Sequence, residues 1–274
     1  MKLAVSMWSV HRKFFHDGWN VLDFLDFCRE HGFSNVELLD VFWKDQSSEL
    51  PKVKDFLRKN GMTVAAYAVS NDFAKEAASD REKAAKVILN GIELAKELET
   101  QVVRVFAGDL KPGSEFQNSV GYIVEGFRSV VAKAEAEGIV LALENHGKLA
   151  GKGEQVRHII REVGSNSLRS TFDMGNFILV DQTALRAFAE LGTLVAHVHV
   201  KDFKQANHGE GLQGVNEKWF VSTVCGLGEI PISEVLRKIR SSGYDGYVSL
   251  EYEGDGDEVS GVLDSMEYLR KYIN

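Results

Sequence analysis

The 274 residues are 44% hydrophobic and carry 40 acidic against 32 basic side chains, a formal net charge of −8. That length suits one large α/β barrel or two ordinary domains, and the acidic balance runs against a sequence-independent nucleic-acid binder, which needs the opposite sign. Two cysteines without a CxxC pair fit a reducing compartment, and no apolar run is long enough to span a bilayer, so a cytoplasmic protein with no membrane partner is expected.

Along the chain, short β-rich runs alternate with longer amphipathic stretches. The first run, "LAVSMW" (3–8), sits in a segment that turns polar too soon for a signal peptide. The turn after it, "SMWSVHRKFF", has none of the glycines that a dinucleotide-binding open sheet places there. "WNVLDFLDFCREHG" (19–32) spaces Val21, Leu22, Phe24, Leu25 and Cys28 as one helix face and stops at Gly32. Strands are predicted at "NVELLD" (35–40) and "TVAAYAV" (63–69), then a helix over 80–99 through Ala84, Val87, Ile88, Ile92 and Leu98. Further strands follow at "VVRVFAG" (102–108), "IVLALEN" (139–145), "LRSTFDM" (168–174) and "VAHVHVK" (195–201). Residues 204–230 form the longest irregular segment, expected as a functional or mobile loop. "SEVLRKIRSSG" (233–243) is predicted as a helix capped by Ser233, and "GYVSLEY" (246–252) closes the series. Eight strand–helix units without a linker, and with three prolines in all, predict a closed (β/α)8 TIM barrel as a single domain over 1–274.

In such a barrel, chemistry collects where the strands end. Strand two carries Glu37; strand five ends on Glu144 and His146, and strand six on Asp173 and Asn176. Strand seven holds His197 and His199 ahead of Lys201, and strand eight ends on Glu251 and Glu253. Each has a plain explanation by itself: a solvated strand end for Glu144, a turn-fixing side chain for Asp173, a hydrogen-bonded support for one histidine, a water-facing Glu253. Four successive ends of this kind are harder to explain singly, because a charge beyond an apolar run must be hydrated, paired or metal-bound. Oxygen ligands with one imidazole suit one divalent metal ion, Mn2+, Mg2+, Co2+ or Zn2+. "CGLGEIP" (225–231) contains Gly-x-Gly but follows no strand. Trp8, Phe42, Trp43 and Trp219 fall in predicted loops, where they could line a pocket or cap the barrel.

The ordered set "LENHG", "FDMGN", "HVHVKD" and "SLEYEG" resembles the xylose isomerase-like TIM-barrel superfamily. That group holds sugar and sugar-phosphate isomerases and epimerases, hydroxypyruvate isomerase, inosose dehydratase and endonuclease IV. The resemblance to its ketose 3-epimerases implies metal ligands at Glu144, Asp173, His199 and Glu251, with Glu144 and Glu251 also exchanging the substrate proton. It selects His199 over His197; strand alternation then puts both on the inward side, with His197 a layer deeper. Asn176, Gln205 and Ala150 stand where those epimerases have a histidine, an arginine and a glutamate that bind sugar, so the metal frame matches and the sugar contacts differ. The extra histidines of endonuclease IV are missing from "YAVSND" and "RVFAGD", Asn176 stands in place of another, and "KQANHGEG" lacks its Asp-x-His.

The activity this implies is metal-dependent isomerisation or epimerisation of a sugar, sugar phosphate or related hydroxy-ketone, by glutamate-mediated proton transfer through a metal-stabilised enediolate. The alternative enzyme is a dehydratase of the inosose or dehydroshikimate type. A non-catalytic sugar-binding barrel would not need the two glutamates. His146, Asn176, Lys201, Glu37 and Trp8 are the expected substrate contacts. The partner is a small carbohydrate rather than nucleic acid, and a homo-oligomer is compatible with the sequence.

Overall fold

The computed structural model describes residues 1–111 and 113–273. The barrel strands are β1 (Lys2–Ser6), β2 (Asn35–Leu39), β3 (Thr63–Ala68), β4 (Val102–Val105), β5 (Val140–Glu144), β6 (Leu168–Asp173) and β7 (Val195–Val200). Three short strands follow, β8 (Asp202–Ala206), β9 (Leu212–Gln213) and β10 (Trp219–Thr223), before the last barrel strand, β11 (Tyr247–Leu250). The parallel barrel closes in the order β1-β11-β7-β6-β5-β4-β3-β2. The helices are α1 (His11–His16), α2 (Val21–Glu30), α3 (Gln46–Asn60), α4 (Ala78–Glu97), α5 (Phe116–Ala136), α6 (Gly153–Val163), α7 (Ala184–Leu191), α8 (Ile232–Ser241) and α9 (Glu258–Ile273). No helix among the described residues is long and apolar enough to cross a membrane.

Local chemistry explains where the elements start and what they bury. In α2, the Asn20 side chain accepts from Leu22 N and Asp23 N, and Asp23 accepts from Asn20 N in return. Its Val21, Phe24, Leu25 and Cys28 are then buried against the barrel, as the spacing predicts. In α8, Val235, Leu236 and Ile239 do the same. Burial of one such side chain contributes about 1.5–3 kcal/mol. The start of α8 differs from expectation: the helix follows Pro231, whose ring presets φ at −75°, and Ser233 lies inside the first turn without capping it.

Residues 204–230 are partly ordered into strands rather than wholly irregular. Strands β8, β10 and β9 pair antiparallel into a small sheet, in that order, beside the barrel mouth. Phe203 and Phe220 bury against Leu179, which anchors the sheet. The apolar positions are too sparse among Lys204, Gln205, Asn207 and the glycines to show alternation in one dimension. The Gly-x-Gly turn also has an explanation. Buried Asp202 accepts N–H groups from Phe203, Gly226, Gly228 and Ile230 at 2.9–3.1 Å. A Cβ on Gly228 would stand 2.2 Å from Asp202 Oδ1, so only glycine lets that turn wrap the carboxylate.

Candidate active site

The strand registers set Glu144 beside Thr171, Asp173 beside His199, and His199 beside Ser249. These neighbours bring Glu144, Asp173, His199 and Glu251 to one place at the C-terminal mouth, with one oxygen or nitrogen of each within 4.8 Å of all the others. All four are buried. His199 Nδ1 lies 3.5 Å from Glu144 Oε2 and 3.4 Å from Glu251 Oε1. Its other nitrogen, Nε2, reaches both oxygens of Glu37 at 3.0 and 3.1 Å. A carboxylate accepts only from N–H, so Glu37 assigns a proton to Nε2 and turns Nδ1 toward the acidic cluster, where it becomes a free ligand atom once its own proton is lost. His197 sits a layer deeper, its Nε2 on Glu37 Oε2 at 2.7 Å and near Ser249 Oγ at 3.2 Å.

Asp173 divides its oxygens. Oδ1 accepts from Gly175 N and Asn176 N and fixes the turn, while Oδ2 lies 3.0 Å from Lys201 Nζ. Asn145 rivets the ends of β5 and β6 by bonding both backbone groups of Asp173. Lys201 Nζ also lies 2.9 Å from Glu251 Oε2 and 2.9 Å from Glu253 Oε1. Gly175 is required here: a Cβ on it would fall 2.3 Å from Lys201 Cγ and 3.0 Å from the Lys201 carbonyl oxygen. Glu144 is held by Asn176 Nδ2 at 3.1 Å and paired with Arg104 Nε at 3.2 Å.

The cluster is short of positive charge. Five carboxylates, on Glu37, Glu144, Asp173, Glu251 and Glu253, meet two permanent cations, Arg104 and Lys201. Burial and the adjacent Glu144 and Glu251 push Asp173 up to about 7, despite Lys201. Burial opposes charge on His199, yet Glu251, Glu37 and Glu144 outweigh it and hold the imidazole well above its ordinary value. Burial likewise opposes ionised Glu144, but His199 and Arg104 keep it at about 2. Among the described residues, Glu144 Oε2, Asp173 Oδ2 and His199 Nδ1 are buried atoms that have ion-pair neighbours but no hydrogen bond of good geometry. Ligand atoms left in this state, converging within reach of one another, fit a divalent metal ion. The second acidic–imidazole group, Glu37 with His197 and His199, does not, because its atoms already bond one another.

The family model of the xylose isomerase-like TIM barrel matches residues 25–272. The chain belongs to this family. The inosose dehydratase of Clostridium perfringens is 27% identical over 162 residues, 55% of this chain and 52% of that protein, so the chain spans about half the length of this curated relative. The IolI protein with a bound zinc atom shares the fold at 15% identity, with TM-score 0.80 over 100% of this chain and 98% of that one. D-Psicose 3-epimerase from Clostridium cellulolyticum H10, solved with D-tagatose, gives TM-score 0.77 at 15% identity and covers 100% of both chains.

Within this family fold, a cavity of about 440 Å³ opens above the carboxylates, and Trp8, His146 and Lys201 line it together with Glu144 and Glu251. Two expected substrate contacts lie elsewhere. Glu37 is fully buried beneath the site, and both its oxygens are taken by the two histidines, so it supports rather than lines the cavity. Asn176 is buried with its amide on Glu144. Of the four aromatics expected in loops, Trp8 faces this cavity, Phe42 packs behind it, Trp43 is partly buried against the core, and Trp219 lies on β10 with its ring tilted against His208. Sequence reasoning missed Arg104, which is buried on β4, donates to the Val69 carbonyl and lies over Phe106. A lone arginine inside "VVRVFAG" was the available signal: a charge in the middle of an apolar strand needs a buried partner. Glu253, for which a water-facing position was the plain explanation, accepts from Lys201.

Proposed function

We propose that this chain removes the proton α to the carbonyl of a hydroxy-ketone of the sugar class, and so isomerises or epimerises it. The observation that carries this is the pair of buried carboxylates, Glu144 from β5 and Glu251 after β11, approaching His199 Nδ1 from two sides at 3.5 and 3.4 Å. Glu144, Asp173, His199 and Glu251 would hold a divalent ion, which when bound supplies Lewis-acid polarisation of the substrate carbonyl. Glu144 and Glu251 are both held ionised, Glu144 at about 2 and Glu251 well below the usual range against its burial, as a base must be. One carboxylate takes the α-proton, and the C–H electron pair becomes the enediolate. The other carboxylate takes a proton from solvent or a substrate hydroxyl and delivers it to the opposite face or to the neighbouring carbon, while the first releases its proton to solvent. Arg104 and Asn176 fix the position of Glu144, and Lys201 offers an ammonium to the developing oxyanion.

A specific feature supports elimination as the second reading. Lys201 Nζ lies 2.9 Å from both Glu251 and Glu253, where it can hand a proton to a departing β-hydroxyl, giving water and an unsaturated ketone. The match to an inosose dehydratase points the same way. Keto-sugars, sugar phosphates and inososes incubated with the protein and Mn2+ in D2O decide between these readings. Deuterium at the α-carbon with a saturated product supports isomerisation. Absorbance from a new conjugated product supports elimination, and no exchange with any member refutes both.

A further inference from the structure

The cavity above the carboxylates is two-faced. Its floor holds the ionised groups, while its wall is carbon: Trp8, Phe15, Leu39, Val41 and Phe106. Phe15 and Val41 are 59% and 48% exposed, a large apolar area to leave in water beside a polar site. The wall is preformed. Phe42 lies 4.3 Å from Phe14, 5.5 Å from Phe15 and 6.0 Å from Trp8, ring centre to ring centre, so the aromatic face is braced from behind. The polar groups beside the wall are His146, whose ring lies 4.5 Å from that of Phe106, and Ser70, which already donates its hydroxyl to Asp40. The distal hydroxyls of a free hexose would meet carbon there and lose their hydrogen bonds to water. An apolar group would gain by the same contact.

We propose that the substrate is a hydroxy-ketone sugar bearing a large apolar substituent, an aryl glycoside whose ring carries the ketone at a non-anomeric carbon. The substituent lies against Phe15, Val41 and Trp8 while the ketone faces Glu144 and Glu251. This rests on the proton-abstraction reading for the reactive end and adds the chemistry of the other end.

Methyl and phenyl hexopyranosides oxidised to a ketone at one non-anomeric ring carbon present the same reactive end and differ only in the substituent. With Mn2+ in D2O, kcat/KM for α-proton exchange is expected to favour the phenyl member by at least about tenfold. Replacing the exposed pair, Phe15→Ser with Val41→Ser, is expected to bring that ratio toward one. In a parallel arm, unreactive methyl and phenyl β-D-glucosides are compared by saturation-transfer NMR, which needs no turnover. Equal kcat/KM for the keto-glycosides overturns the inference and leaves proton abstraction standing. No exchange of either, with preferential binding of the phenyl glucoside, refutes proton abstraction and supports the apolar subsite. No exchange and equal binding refutes both.

Discussion

Glu37→Gln tests whether His199 is positioned by the layer beneath it. In the native structure the Glu37 carboxylate accepts from His197 at 2.7 Å and from His199 at 3.0 and 3.1 Å, with all three residues buried. The substitution keeps the shape, removes the charge and replaces one acceptor by an NH2. That NH2 can meet only an unprotonated ring nitrogen, so one of the two histidines must change tautomer. If His199 changes, its proton moves to Nδ1, the atom aimed at the carboxylates; if His197 changes, His199 still loses the anion that makes it a better donor. Outer-shell partners of this kind are worth about 10–100-fold in metal affinity. Each charge-assisted bond lost costs about 1.5–3 kcal/mol of stability. At about 2–4 °C per kcal/mol for a domain approaching this size, a fall in Tm of several degrees is expected. Isothermal titration with Mn2+ or Zn2+ and a thermal melt measure the two effects separately. A folded variant that binds the metal within about twofold of the native affinity would show that Glu37 does not orient His199.

Three further outcomes are expected. Glu144→Gln and Glu251→Gln each cut α-proton exchange by about 10²–10⁴-fold in the D2O assay, and retained exchange in both removes the assignment. Metal affinity rises with pH through about 7. Asp173 is held up near that value and His199 well above its ordinary one, both bind metal only after losing a proton, and acid therefore competes with the ion. Calorimetry in buffers of different ionisation heat reads the released protons, and an affinity unchanged from about pH 6 to 8 refutes the charge assignment. Gly175→Ala drives a methyl into Lys201 at 2.3 Å and destabilises by about 1–3 kcal/mol, seen as a lower Tm and slower exchange; an unchanged Tm shows that Lys201 can take another path.

The barrel was legible in the sequence because strand and helix periodicity are local properties. Each apolar run is read within ten or so residues, and "LALEN", "STFDM" and "VSLEY" announce charged strand ends by direct contrast. The same contrast marked His197 and His199 as one inward face. Helix starts were less clear, as Pro231 in place of Ser233 shows, since several residue types satisfy the first turn.

What the tertiary structure decided are the meetings between residues far apart in the chain. Glu37 and His199 are 162 positions apart, and nothing near either one shows that the carboxylate points down the barrel rather than into the cavity. Arg104 finds Glu144, and Lys201 finds Glu253, across strands whose order in space had first to be set by closure. The small sheet at 202–223 and the apolar wall from Trp8, Phe15 and Val41 depend on loops that pack only once the barrel holds their ends. Composition and periodicity determined that a barrel forms and which ionisable groups lie at its mouth. Which of them face a ligand, and which only support the others, was decided by long-range packing, because hydrogen-bond partners are chosen by position in space and not by position in the chain.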